Sequence, residues 1–196
     1  MKKRFLKLVK DSRRAFITCH QNADPDAICS MFLLSGLLKK LKRKLHVEIA
    51  APTVSRISKK VLENINLKLI RSPNIEKSDI IFVVDTNTTQ QLGPFKKRVE
   101  NSHKPIVFID HHTPHPLTKK IAYMIIYNEN VSSSCELIFE LCSSFRIKIS
   151  RDEALATLIG IIYDTKHFAL ASSKTFIIIA KLITHGAIVE KAVKIL

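Results

Sequence analysis

Apolar positions recur along this chain with two periods, and the alternation between them lays out a series of strands and helices. Phe5, Leu6, Leu8 and Val9 share one face of a helix predicted over 3–13. Strands are predicted over 15–19 and 45–50, and between them an apolar helical pattern runs from Met31 to Leu41, extending a helix over 24–42. A helix over 55–65 follows, with Ser55 placed to cap it. Two runs, DIIFVVD over 79–85 and PIVFID over 105–110, show no alternation, as expected of parallel strands covered on both faces. A short helix over 95–101 separates them. A further strand is predicted over 121–127, and the pattern leaves its neighbour in the sheet open. Beyond Ser132 the periodicity becomes helical, over 132–144, 151–166 and 174–185. Strands alternating with helices predict an α/β fold: a doubly wound, mainly parallel sheet, helices on both faces, and a helical C-terminal part. No repeat, low-complexity tract or linker rich in Pro, Gly or Ser interrupts it, so 1–196 reads as a single domain.

The 196 residues suffice for a substantial core. The longest apolar runs, such as Ile80 to Val84 and Phe176 to Ala180, are far shorter than a membrane span. The basic start, MKKRFLKLVKDSRR, has no continuous apolar stretch or cleavage site of a signal peptide. A cytoplasmic protein without membrane partners is expected. Cys19, Cys29, Cys135 and Cys142 form no CxxC pair and read as small buried hydrophobes in a reducing compartment. Lys and Arg total 32 against 17 acids, a formal charge of +15. That excess points to an anionic partner, nucleic acid foremost, although clusters such as Lys39, Lys40, Lys42, Arg43 and Lys44 also suit solvated helix ends. Only four glycines occur, Gly36, Gly93, Gly160 and Gly186, and no two are close. A phosphate-cradling glycine loop is therefore excluded, and any phosphate would have to be met by cations.

The chemistry concentrates at the ends of the strands. CHQNADPDAICS, Cys19 to Ser30, occupies the turn between the first sheet strand and the long helix, and it carries His20, Asp24 and Asp26. Asp24 can also cap that helix, with Pro25 at its first position. The run IIFVV ends in Asp85; the run PIVFI ends in Asp110, followed by His111 and His112. Asp164 lies within the apolar helix LIGIIYDTKHF, where a lone carboxylate is costly. Singly, each of these acids reads as a cap or turn residue. Together they predict one rim crowded with carboxylates, which would repel one another without divalent cations. Mixed carboxylate and imidazole donors suit manganese or cobalt better than magnesium.

The segments HQNADPDA from His20, VVDT ending at Thr86, DHH from Asp110 and GIIYDTKHF from Gly160 resemble, in order, the four motifs of the DHH phosphoesterases. That family includes RecJ-type exonucleases, oligoribonucleases that also cleave phosphoadenosine phosphate, cyclic-dinucleotide phosphodiesterases, exopolyphosphatases and manganese pyrophosphatases. The resemblance covers residues 15 to 170, and SSCELIFEL from Ser133 is similar to the family's helix after the third motif. It implies that His20, Asp24 and Asp85 hold one divalent ion. Asp26, His111 and Asp164 hold a second, with Asp85 shared between the two. It also implies that Asp110 orients an imidazole and that His112 faces the substrate phosphate or leaving group. Lys166 is the cation nearest in sequence to these ligands and is a candidate phosphate contact. His115 and His167 are read as touching substrate or simply as exposed.

The expectation is a manganese-dependent phosphoesterase, with cobalt or magnesium as alternatives, hydrolysing short or single-stranded nucleic acid through two metals. A small-molecule phosphatase acting on nucleotides or polyphosphate is the alternative, and a catalytically weak nucleic-acid-binding subunit is a reading of another class. Family members usually carry a second, glycine-rich substrate-gripping domain, which this sequence lacks. Either the protein is a minimal catalytic lobe, or a second copy of the chain or a partner subunit completes the cleft, or the sequence is a shortened piece.

Overall fold

The computed structural model describes residues 1–196. Five strands form the sheet: β1 (Arg14–Thr18), β2 (His46–Ile49), β3 (Ile80–Val84), β4 (Ile106–Asp110) and β5 (Met124–Tyr127). They lie in the order β2-β1-β3-β4-β5, and every neighbouring pair is parallel. The chain leaves β1 for β2 on one side and returns to place β3 on the other. The crevice between the carboxyl ends of β1 and β3 is thus the topological switch point, where open α/β sheets bind ligands.

Nine α-helices surround the sheet: α1 (Lys2–Asp11), α2 (Pro25–Leu41), α3 (Arg56–Asn64), α4 (Lys96–Glu100), α5 (Pro116–Ile121), α6 (Ser134–Ser144), α7 (Arg151–Asp164), α8 (Ser173–Thr184) and α9 (Val189–Ile195). Short 3-10 turns cover Ile75–Lys77 and Thr89–Phe95. Both faces of the sheet are buried, which explains the unbroken apolar runs of β3 and β4. The faces are unequal. Ile17, Phe82, Val84, Val107 and Ile109 join a cluster of 46 buried residues that includes α2, α6 and α7. Phe16, Ile81, Val83 and Phe108 meet a cluster of only 10, completed by Ile75, Leu92, Phe95 and Val99.

Three expectations change. The stretch at 121–127 splits: Pro116–Ile121 is helical and only Met124–Tyr127 is a strand, paired to β4 at the sheet's edge. Local capping decides this, because Pro116 opens the helix and His115 Nδ1 accepts the Leu117 N–H. The helix predicted to reach 166 ends at Asp164, and Lys166, His167 and Phe168 then take left-handed φ values of 49°, 54° and 73°. Helix α9 escaped the pattern because only Ala192 and Ile195 of it are buried. No helix is long and apolar enough to cross a membrane.

Candidate metal centre

Four elements, β1, β3, β4 and α7, end at the switch point and a fifth, α2, begins there; each brings a side chain to it. His20 follows β1. Asp24 caps α2 through Oδ1, which accepts the Ala27 N–H at 3.0 Å, so its second oxygen remains free of the cap. Asp26 sits in the first turn of the same helix, fully buried, where the macrodipole favours negative charge. Its two oxygens accept the backbone N–H groups of Ser134 (2.8 Å) and Cys135 (3.1 Å) at the start of α6. Asp85 leaves β3 with φ +54°, a left-handed conformation that aspartate tolerates better than most residues, and this bends its carboxylate into the crevice. Asp110 ends β4 and delivers His111 and His112, while Asp164 is the last residue of α7. Gly160, one turn earlier on α7, makes the approach of that helix feasible. A Cβ there would stand 2.4 Å from Cys135 Sγ and 2.8 Å from an Asp26 oxygen.

The potential ligand atoms form three overlapping groups, His20–Asp24–Asp85, Asp26–His111–Asp164 and Asp85–Asp110–His111–His112, each with its atoms within 4.8 Å of one another; the first two adjoin as a pair of triads. Asp85 lies between them: Oδ2 is 3.4 Å from His20 Nε2 and Oδ1 is 3.9 Å from His111 Nε2. His111 Nε2 is 3.2 Å from Asp164 Oδ2. Beside them Asp110 Oδ1 accepts His112 Nδ1 at 2.9 Å, leaving the other edge of that imidazole facing outward. These groups open into a cleft of about 360 Å³, with Thr86, Asn87 and Gln91 on its remaining wall and no apolar residue in its lining.

The electrostatics describe a site under strain. Burial and the charges of Asp85 and Asp24 push the Asp164 carboxyl up to about 7. Burial, with Asp85, Asp164 and Asp24 nearby, pushes Asp26 well above the usual carboxylate range. Burial alone would lower the His20 imidazole, yet the neighbouring carboxylates of Asp24 and Asp85 raise it to about 10. Burial and then His112 lower His111, whereas the hydrogen bond that His112 gives to Asp110 raises His112. Asp164 also meets the unfavourable end of its helix dipole, and its buried Oδ2 makes no hydrogen bond. Without cations, protons must hold these acids together. A divalent pair fits the same donors: ionised carboxylates, a neutral His111, and a His20 whose Nδ1 donates to the Gln21 carbonyl (2.8 Å), presenting Nε2 as the ligand atom.

Residues 14–161 match a family model described as "DHH family, N-terminal domain". The chain belongs to the DHH family. It is 35% identical over 165 residues to an uncharacterized protein of Methanocaldococcus jannaschii, covering 84% of this chain and 49% of that protein. It is 27% identical over 182 residues to the cyclic-di-AMP phosphodiesterase PdeA of Listeria monocytogenes, covering 86% of this chain and 27% of that one. The chain therefore spans half, or less, of the length of these relatives. Its fold is similar to that of an exopolyphosphatase-related protein from Bacteroides fragilis, with a TM-score of 0.79 at 21% identity, covering 99% of this chain and 59% of that one. It is also similar to RecJ from Thermus thermophilus in complex with Mn2+, with a TM-score of 0.53 at 15% identity, covering 99% of this chain and 30% of that one.

The DHH domain brings His20, Asp24, Asp26, Asp85, Asp110, His111, His112 and Asp164 to one rim. It does not bring Lys166, which is exposed in the left-handed turn and outside the cleft lining. His115 serves α5 as a cap, and His167 is exposed beyond the cleft. Sequence reasoning missed Asn87 and Gln91, whose signal was only their closeness to Asp85 in DTNTTQQ. It also left Ser134 without a role, although that residue touches two of the acids.

Proposed function

We propose that this DHH domain is the metal-binding lobe of a phosphoesterase that hydrolyses phosphodiester bonds of short or single-stranded nucleic acid with two divalent ions, manganese foremost. The observation that carries this reading is the meeting of two ligand triads at one shared carboxylate, Asp85, inside a cleft lined only by polar groups. His20, Asp24 and Asp85 would hold one ion; Asp26, His111, Asp164 and the second oxygen of Asp85 would hold the other. Four carboxylate charges balance two divalent ions, so an anionic phosphate can enter. When bound, such a pair lowers the pKa of water and stabilises both the attacking and the leaving oxygen of an in-line displacement. His112, held by Asp110 and favoured in its protonated form, is placed to contact the phosphate or to protonate the leaving oxygen. With no apolar lining, the cleft suits the polar phosphate and sugar parts of a nucleotide. The +15 charge favours a polyanion. Manganese is supported by the mixed donor set and by the Mn2+ complex of RecJ, which shares this fold.

A second reading, cleavage of a cyclic dinucleotide, is favoured by the name of the Listeria relative. The test is manganese-dependent hydrolysis across a panel of short oligonucleotides, cyclic-di-AMP, phosphoadenosine phosphate and polyphosphate. Chelation should abolish activity, and Asp85→Ala should lower it roughly a thousandfold, because it removes several kcal/mol of charge stabilisation from both ions. Undiminished turnover in Asp85→Ala would end the reading of Asp85 as the carboxylate shared by two catalytic ions. Tight manganese binding with no substrate cleaved would replace the phosphoesterase reading with a binding module.

A further inference from the structure

Helix α6 starts directly behind the acids. Its first two backbone N–H groups, Ser134 and Cys135, clamp both oxygens of Asp26, and the Ser134 hydroxyl donates to Asp85 Oδ1 at 2.8 Å. Ser134 and Asp26 are fully buried and Asp85 nearly so, which strengthens these hydrogen bonds. The ordinary duty of a serine at a helix start is capping, but here Ser133 supplies the cap, its Oγ accepting the Glu136 N–H at 3.1 Å. The Ser134 hydroxyl is therefore spent on the carboxylate. Asp85 needs such a restraint. It stands between His20 and Asp24 on one side and His111 on the other, on a left-handed backbone that does not by itself fix the rotation of its side chain.

We propose that Ser134 is a positioning residue of the metal centre. Its hydroxyl sets the rotation of the Asp85 carboxylate, keeping Oδ1 toward His111 and Oδ2 toward His20, so that one oxygen is available to each of two cations. The inference rests on the metal-bridging role proposed for Asp85. Supporting groups that orient metal ligands commonly matter 10- to 100-fold in affinity or activity, and an effect of about that size is expected here.

The test compares Ser134→Ala, Ser134→Thr and Ser133→Ala with the unaltered protein. Manganese binding is followed by calorimetry, coupling between paired manganese ions by electron paramagnetic resonance, and folding by the melting temperature without metal. Ser134→Ala should weaken binding of the second manganese about 10-fold or more and diminish the coupled-pair signal, with the metal-free melting temperature close to that of Ser133→Ala. Ser134→Thr, which keeps a hydroxyl, should recover most of the binding. Ser133→Ala should bind both ions normally. Full binding of two ions by Ser134→Ala, or an equal loss in Ser133→Ala, would overturn the inference alone. Failure of the unaltered protein to bind manganese would overturn the metal reading, and this inference with it.

Discussion

On one face of the sheet Phe82, Val84, Val107 and Ile109 pack into a cluster of 46 buried residues; on the other, Phe16, Ile81, Val83 and Phe108 meet a cluster of 10. The difference extends to function. The thick face holds α2, α6 and α7, whose ends at the carboxyl edge supply Asp24, Asp26, Asp164 and the hydrogen bonds of Ser134. The thin face is closed by α4 and the 3-10 turns and lends the site only the wall of Thr86, Asn87 and Gln91. Both faces stabilise the fold by removing apolar surface from water. Only the thick one sets the ligand geometry, because there the helices that make the core also end at the acids.

A substitution that separates stability from ligand geometry breaks or sharpens this contrast. Phe16→Ala empties the thin core, where Phe16 is fully buried and edge-on to Phe95 at 5.9 Å. It should cost about 3–5 kcal/mol of stability, measured by denaturant unfolding, while manganese affinity below the transition stays unchanged. A large loss of affinity would mean that the thin face also sets the site.

Gly160→Ala should do the reverse. Its methyl group would press on Cys135 and Asp26, costing about 1–3 kcal/mol of stability. Manganese affinity should fall about 10- to 100-fold, read by calorimetry. Normal binding would show that α7 yields without moving Asp26.

The third effect is linked to pH. In the metal-free protein Asp164 titrates at about 7 and His20 at about 10, both above their ordinary values of 3.8 and 6.5. The folded state therefore holds these protons more tightly than the unfolded chain does. The contribution of Asp164 to stability is complete below pH about 4 and is lost as pH rises to about 7; that of His20 is complete below about 6.5 and is lost toward about 10. Cations require both groups deprotonated, so manganese binding should release protons, and its gain in melting temperature should grow from pH 6 to pH 8. A gain that shrinks over this range would contradict the assigned ligands.

The smallest effect is expected at Lys166. It lies outside the cleft on the exposed turn, so Lys166→Ala should change KM by less than about twofold at fixed salt. A larger rise in KM would bring the turn after α7 into the substrate path.

Much of this architecture was legible along the chain. IIFVV and PIVFI announced buried parallel strands because a doubly covered strand has no polar face to display. The acids at their ends were equally visible, although each taken singly reads as a cap or turn residue and only their number pointed to one site. The strand at 121–127 was misjudged in its first half because Pro116 and His115, rather than apolar content, decide where α5 forms. Ser134 and Gly160 fall in segments that resemble the family's, but no local pattern gives either a role. Ser134 matters through Asp26 and Asp85, which lie 108 and 49 residues away in sequence, and Gly160 matters through clearance to another helix.

By itself the sequence determined which side chains could be ligands and that all of them except Asp164 would stand where a strand ends or a helix begins, since apolar periodicity and capping are local properties. Only the tertiary structure decided that they meet. Strand order places β1 beside β3, and packing on the thick face brings the start of α6 and the end of α7 to that seam. Convergence depends on which crossovers and core contacts the whole chain adopts, and those are settled by burying apolar surface collectively rather than by any single segment.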